Sequence, residues 1–195
     1  MFKRVGLFFC GLCMAAALTS CGEEDLGGGI GEFTTVNASA TADTGRVESD
    51  LLTGNTCSAG VSSGGEFGTD AVDVAFTSTA LFTPGALNLL IRGVTIRYTP
   101  VNPPISTSTP PPLPDYPWNF STQVEPGESI TIPVPVLPEV YKNALATRAT
   151  QNLQACGGDL YEYFVQVIFH VSEPGGNGKE RDVIANLNIA IADRN

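Results

Sequence analysis

The sequence predicts an all-β domain, built as an antiparallel β-sandwich of about seven strands with one crossover helix. Two long segments near the C-terminus, 161–172 and 183–192, alternate along the chain and give each segment one strongly apolar face. Shorter segments with the same period of two recur upstream and are separated by Pro and Gly turn residues. Apolar side chains at helical spacing form a convincing pattern in one segment, which begins at Pro138. This combination is typical of two packed sheets.

The first three strands follow from alternation alone. Residues 33–42 place Val36 and three alanines on one face and Asn, Ser and Thr on the other. Residues 72–77 and 88–99 repeat this pattern with larger apolar side chains. Residues 53–69 are rich in Gly, Ser and Thr, and we expect them to form a long loop.

Residues 100–117 contain eight prolines, which force an extended path with few backbone donors. One interpretation is a recognition ridge, with Tyr116 and Trp118 as the platform for a ligand. The other is a stiff crossover with Trp118 packed in the core. The second is favoured, because alternate residues from 118 to 124 share one face of a predicted strand.

The next segments predict a turn and a sheet edge. Residues 125–128 read Glu-Pro-Gly-Glu, with Pro and Gly at the central positions of a type II turn. The strand that follows, 130–136, carries Pro133 and Pro135 on its less apolar face. Both missing N–H groups fall along the same border, so this strand is predicted to lie at the edge of a sheet.

The last elements are a helix and a hairpin. The helix starts at Pro138 and is expected to continue to Cys156, where Gly157 and Gly158 end it. The two long C-terminal strands are joined by the glycine-rich residues 174–178 and form a hairpin. Since both have a strongly apolar face, we expect them to be central and to meet an opposing sheet about 10 Å away.

This order of elements resembles an immunoglobulin-like or fibronectin type III-like sandwich over residues 33–194. The cysteines depart from the immunoglobulin pattern, because Cys156 precedes the penultimate strand instead of lying inside it. The resemblance therefore implies the sandwich and leaves the strand order open.

The N-terminus predicts export. In residues 1–20, Lys3 and Arg4 precede an apolar run of about fourteen residues, as in a secretory signal, and the run is short for a membrane span. It ends in Leu18-Thr19-Ser20-Cys21, which resembles the lipobox of bacterial lipoproteins. The alternative is an ordinary secretory signal followed by a coincidental cysteine.

The lipobox resemblance implies cleavage before Cys21 and attachment of diacylglycerol and an N-acyl chain to that residue. Several acyl chains give stable membrane anchoring, whereas a single chain gives marginal binding. The implied location is the outer membrane, on its periplasmic face or at the cell surface. We expect no cofactor besides this lipid.

The rest of the chain divides into a tether and one domain. Residues 21–32 are mostly Gly and acidic residues, with an r.m.s. reach of about 15–20 Å, and residues 33–195 suit a single β-sandwich domain. Once the signal is removed and Cys21 is lipidated, Cys57 and Cys156 remain. Because an exported compartment permits disulfides, we expect these two to pair; the alternative is two unpaired buried thiols.

The sequence contains few candidates for catalytic or metal-binding residues. The chain has 20 acidic and 10 basic residues and a net charge of −10, which disfavours nucleic acid as a partner. His170 is the only histidine, and no Gly-x-Ser-x-Gly motif accompanies it, so we expect a surface or hydrogen-bonded strand histidine. The acid pairs are interpreted as solvated charges, without the Asp-x-Asp-x-Asp spacing of a calcium loop. These pairs are Asp70 with Asp73 and Glu48 with Asp50.

We therefore predict a non-catalytic structural or interaction module, held at the membrane by its lipid and available to protein partners of the envelope. The first alternative is a module that binds a glycan or another extracellular ligand through Tyr116 and Trp118. A third, ranked lower, is a hydrolase that uses paired carboxylates.

Overall fold

The computed structural model describes residues 31–193 except 60, 148–152, 154, 176 and 177. Cys21, the expected signal peptide and most of the expected tether lie outside the described residues. The described part of the chain contains twelve strands and one helix, so the expected number of about seven strands was too low. They are β1 (Gly31–Glu32), β2 (Val36–Ala42), β3 (Arg46–Asp50), β4 (Thr53–Ser58), β5 (Val61–Glu66), β6 (Asp70–Ala80), β7 (Leu89–Val101), β8 (Tyr116–Trp118), β9 (Thr122–Val124), β10 (Ser129–Leu137), α1 (Glu139–Thr147), β11 (Tyr161–Glu173) and β12 (Lys179–Ala192).

The strands form two packed sheets, which confirms an all-β sandwich. The first sheet has the order β1-β2-β6-β10, and the second has the order β3-β12-β11-β7-β8, with β9 also paired to β7. Strands β4 and β5 form a separate hairpin. One hydrophobic core joins the sheets, and at its centre the rings of Phe76 and Phe169 lie 5.5 Å apart.

Two local predictions are confirmed in detail. The C-terminal hairpin pairs from Tyr161 with Ile191 to Glu173 with Lys179, and its strands occupy the interior of the second sheet. The type II turn is present, with Gly127 at a φ of 85° and a hydrogen bond of 3.1 Å from Glu128 N to Glu125 O.

Strand β10, which contains Pro133 and Pro135, lies at the edge of a sheet, as the missing backbone N–H groups of the two prolines predict. It forms one border of the first sheet and pairs along its other side with β6. Pro133 is exposed on this border strand and Pro135 is half-buried, while Val134 and Val136 between and beyond them are fully buried.

Other expectations were wrong. The sandwich is not wholly antiparallel, because β3 pairs in parallel with β12. Residues 53–66 form the β4–β5 hairpin instead of a long loop, since glycines at positive φ, such as Gly54 and Gly64, let a polar segment pair with itself. Gly31 and Glu32, assigned by sequence to the tether, pair with β2 as β1.

Two further boundaries differ from the sequence prediction. The single strand expected from 118 to 124 is divided into β8 and β9. Helix α1 ends at Thr147, well before Cys156. Leu153 N bonds the carbonyl of Leu145, and Cys156 has a φ of 60°, which is incompatible with a continuing helix.

The strand directions give the domain two distinct ends. We call the tether end the region of residues 31–35, the β6–β7 connection 81–88, and the turn 125–128, because Val36 pairs with Ala80 there. We call the far end the region of the β4–β5 hairpin, α1 and residues 102–115. Strand β11 has 13 residues, so the two ends are separated by about 40 Å.

Candidate functional site

Tyr116 and Trp118 lie at the rim of the sandwich. Strand β8 places Tyr116 opposite Ile96 and Trp118 opposite Val94, both core residues of β7. Directly paired residues share a sheet face, so both aromatic side chains lie on the core side. Both are half-buried, and the ring of Trp118 packs 4.5 Å from that of Phe120. These aromatics cover the side of the core and offer a ligand only part of each ring.

The proline-rich segment is fixed to the sandwich by hydroxyl groups. Tyr163 donates to the carbonyl of Pro111 at 2.8 Å, and Tyr141 donates to the carbonyl of Pro114 at 3.0 Å. At the start of the segment, Ser106 Oγ donates to Val101 O at 2.6 Å. A chain that lacks backbone donors is thus held through its carbonyls, as a stiff crossover would be.

A cluster of tyrosines supports this segment from beneath. Tyr98 lies edge-on to both Tyr141 and Tyr163, with centroids 5.6 and 6.4 Å away, and its hydroxyl donates to Val136 O at 3.0 Å. Burial, followed by the nearby Tyr141, raises the pKa of Tyr98 well above its ordinary range. Tyr98 is therefore neutral at physiological pH, and the cluster serves as packing with internal donors.

The two cysteines that the sequence analysis expects to pair are joined in the structure. Cys57 in β4 is bonded to Cys156, with Cα atoms 5.5 Å apart. The carboxylate of Asp193 accepts from the Cys156 backbone N–H and from Asn55 Nδ2. Since both sulfurs are consumed by the disulfide, this group offers no thiolate to a metal ion; it anchors the β4–β5 hairpin to the far end.

His170 has partners that the sequence did not predict. Its Nδ1 lies 2.9 Å from Asp182 Oδ1, and its Nε2 lies 2.8 Å from Thr95 Oγ1. The His170–Asp182 pair had a usable signal, because residues equidistant from the centre of the loop 174–178 pair in the hairpin. Thr95 had none, since its contact depends on the long-range pairing of β7 with β11.

This row has the order of a nucleophile, a base and an orienting acid, yet it lacks other parts of a hydrolytic site. It lies on the outer face of the second sheet, with the side chains of His170 and Asp182 about half exposed. Strand β7 is paired on both sides at Thr95, so the ladder uses the backbone donors that could stabilise an oxyanion. The nearby Arg92 is held by Glu180 at 2.7 Å. The arrangement can orient and share a proton across three strands.

One member of each acid pair, Asp70 and Glu48, is held by a cation instead of being only a solvated charge. Asp70 contacts Lys142 Nζ at 3.0 Å, and this nitrogen also donates to Asp50 O at 2.7 Å. Lys142, which the sequence did not single out, is fully buried on the inner side of α1. The only sign in the sequence was that Lys142 directly follows Tyr141, one of the residues at helical spacing in the predicted helix. Lys142 attaches α1 to the ends of β3 and β6.

Glu48 and the buried Glu162 share Arg46. The Arg46 guanidinium lies 2.6 Å from Glu48 Oε1 and 3.2 Å from Glu162 Oε2. A shared cation holds these carboxylates in a surface network instead of leaving them as an acid and base pair for catalysis.

At the tether end, a buried acid was also missed. The Glu173 carboxylate accepts from the backbone N–H groups of Thr34 and Thr35, each at 2.9 Å, and from the Thr35 hydroxyl. Burial raises the pKa of Glu173, but these hydrogen bonds outweigh burial and hold the pKa below its ordinary value. Glu173 therefore fixes the point at which the chain enters the domain.

Comparisons with known proteins identify no relative: no protein family, curated protein or solved structure matches the chain. In the part of the chain that the structure describes, no helix has the length and hydropathy needed to cross a bilayer.

Proposed function

We propose that this chain is an exported lipoprotein of the outer membrane, anchored by diacylglycerol and an N-acyl chain on Cys21, with a non-catalytic β-sandwich as its working part. The observation that carries the proposal is the sequence Leu18-Thr19-Ser20-Cys21 at the end of a short apolar run. The immunoglobulin-like resemblance belongs to the same proposal. It is supported by the two sheets and the closing hairpin, while the parallel β3 and the position of Cys156 differ from that pattern.

The polarity of the domain supports a role in contacts with other envelope proteins. The chain enters at the tether end, so the far end is presented about 40 Å away. Three large apolar side chains are exposed at the far end, on three different segments: Val61, Ile105 and Val140. The disulfide and the buried Lys142 hold two of these segments in place, which gives a partner a preformed surface.

Binding of a glycan through Tyr116 and Trp118 receives less support. Sugar rings stack on open aromatic faces, and here both side chains are half-buried on the core side of β8. For the same reason, a rigid interaction module is preferred to a hydrolase: the carboxylates of Asp70 and Glu48 are committed to cations.

Mass spectrometry of the native protein tests the anchor. We expect an N-terminal peptide that begins at Cys21 and carries three acyl chains, and we expect Cys21→Ser to abolish the modification. An unmodified mature chain that starts at another residue would contradict the proposal.

Mild crosslinking of intact envelopes, followed by purification of the protein, tests the interaction role. We expect a specific set of crosslinked envelope proteins, which Val140→Asp at the far end reduces. The matched control is Gln123→Asp, which adds the same charge at an exposed position of β9 away from the far end. Equal crosslinking in both variants and the wild type would argue against a partner at the far end.

A further inference from the structure

Two neighbouring apolar side chains project from the tether end. Leu81 and Phe82 follow β6 directly and are 46% and 61% exposed, although both are large hydrophobic residues. Leu81 N donates to Thr35 O at 2.9 Å, so this pair lies beside the segment through which the tether joins the domain.

The connection that carries the pair is fixed in position. Leu87 N donates to Thr35 Oγ1 at 2.9 Å, and the same threonine is bound by the buried Glu173. Leu87 also packs closely on Gly175, where an added Cβ would lie 3.1 Å from Leu87 Cδ1. Leu81 and Phe82 are therefore presented on a structured loop, without the ordering cost of a flexible one.

The length of the tether brings this loop close to the lipid. Nine residues separate Cys21 from Gly31, where β1 begins, with an r.m.s. reach of about 15–18 Å. Gly31 lies opposite Ala38, two residues from the start of β2, and the sandwich is about 40 Å long, so this reach brings the tether end to the bilayer more readily than the far end. Confinement on a short tether gives an effective concentration of the order of millimolar, at which even weak interfacial contacts become populated.

The acidic residues at the tether end decide which kind of phospholipid headgroup this end can approach. Glu32, Glu125 and Glu128 are exposed at the tether end, and they repel anionic headgroups. Neutral headgroups accept Leu and Phe side chains at the boundary between headgroups and acyl chains.

We propose that Leu81 and Phe82 insert into the interfacial layer of the phospholipid bilayer, so that the domain stands on its tether end. This inference rests on the proposed lipid anchor at Cys21. It adds a second, non-covalent membrane contact, which fixes the orientation of the domain and points its far end away from the lipid.

The experiment uses the lipidated full-length protein in phosphatidylcholine vesicles whose acyl chains carry bromine near the headgroup. Phe82→Trp in a Trp118→Phe background places a single fluorophore in the loop. The matched control is Val61→Trp in the same background, because Val61 is equally exposed but lies at the far end. We expect a blue-shifted emission and quenching at position 82 at least about twofold stronger than at position 61.

Hydrogen exchange of the otherwise unmodified chain supplies a second measurement. Peptides covering 81–88 should exchange more slowly in the vesicles than in the lipid-free Cys21→Ser protein, whereas peptides covering 61–66 should exchange alike. The exchange data decide the question if Trp118→Phe disturbs the fold.

The outcomes separate the two proposals. Lipidated protein that floats with the vesicles, but shows equal quenching at positions 82 and 61 and equal exchange of 81–88, would overturn the insertion and leave the anchor intact. Native protein that carries no lipid and does not float would overturn both.

Discussion

Replacing Glu173 with Gln should destabilise the domain far more than a surface substitution on the same hairpin. Glu173 is completely buried, and its two carboxylate oxygens accept hydrogen bonds from the backbone N–H groups and the side chains of Thr34 and Thr35. The glutamine side chain has the same shape but presents one acceptor oxygen and an NH₂ group. At least one buried donor then loses its acceptor and faces another donor.

The expected magnitude follows from the number of donors affected. A buried donor left without an acceptor costs about 1–3 kcal/mol, so one or two such donors cost about 2–4 kcal/mol. For a domain of this size, about 2–4 °C of the melting temperature is lost per kcal/mol. Glu173→Gln should therefore lower the melting temperature by about 5–15 °C at pH 7.

The pH dependence gives an independent signature. Because the folded-state pKa of Glu173 is lowered from its ordinary value of 4.5, the unfolded chain takes up this proton first as the pH falls. The stability contributed by the carboxylate is fully present above pH 4.5 and is lost as the pH falls through the lowered pKa. The difference between wild type and Glu173→Gln should therefore be largest at neutral pH and shrink below pH 4.5.

Urea unfolding followed by circular dichroism, at pH 7 and at several values below 4.5, measures both effects. Glu180→Gln is the control, because Glu180 is 65% exposed on the same hairpin and its ion pair with Arg92 is expected to contribute less than about 1 kcal/mol. If Glu173→Gln matched this control at pH 7, or if its deficit were unchanged at low pH, the assignment of a charged clamp would be wrong.

Three further predictions concern the far end and the core. Replacing both Cys57 and Cys156 with Ser should reduce the free energy of unfolding by about 4–5 kcal/mol, since the bond closes a loop across a sequence separation of 99; non-reduced and reduced urea unfolding of the wild type should differ by the same amount. Lys142→Ala should cost about 3–5 kcal/mol, because it leaves the Asp70 carboxylate facing a cavity without its cation; a loss below about 1 kcal/mol would contradict a structural role. Burial raises the pKa of Tyr98 above its ordinary value of 10.0, so the stability contributed by the neutral phenol is present below pH 10 and lost as the pH rises further. Wild type should thus lose its advantage over Tyr98→Phe in alkaline unfolding experiments.

The sequence predicted those parts of the fold whose physics is local. Strict alternation located β6, β7, β11 and β12, because a strand buried on one face must place apolar side chains at every second position. The two missing N–H groups of Pro133 and Pro135 located a sheet border, since neither residue can donate to a ladder. Gly127 located a turn that requires a positive φ.

The features that were missed depend on long-range pairing. Strand β3 has the residues Arg-Val-Glu-Ser-Asp, with little alternation to reveal it, and its parallel register with β12 involves residues about 140 positions apart. The β4–β5 hairpin is polar and glycine-rich, so its stability depends on the ladder and on the bond from Cys57. No local pattern reports such contacts.

In the candidate site, too, local features could be predicted from the sequence and features that depend on long-range pairing could not. The sequence could predict the pairing of Cys57 with Cys156, because the expected export and lipidation would leave only these two cysteines. To predict the row from Thr95 through His170 to Asp182, one would need the register of three strands. The sequence indicates only the pairing of β11 with β12, because a short loop joins them. Side chains that are brought together only by the pairing of distant strands are therefore hard to identify from the sequence, even when a residue type such as the single histidine stands out.

The position of Glu173 links the tether to both layers of the sandwich. Thr34 and Thr35 lead into β2 of the first sheet, while Glu173 ends β11 of the second sheet. Because the clamp follows β1 in the chain, a force on the residues before Gly31 that frees β1 is then shared between the two sheets instead of peeling β2 from the first. Because hydrogen bonds to a charged group are stronger than those between neutral groups, a carboxylate suits this position better than a serine or glutamine would. Loss of the clamp should consequently increase hydrogen exchange at residues 33–36 before it affects the far end, where the disulfide holds the chain independently.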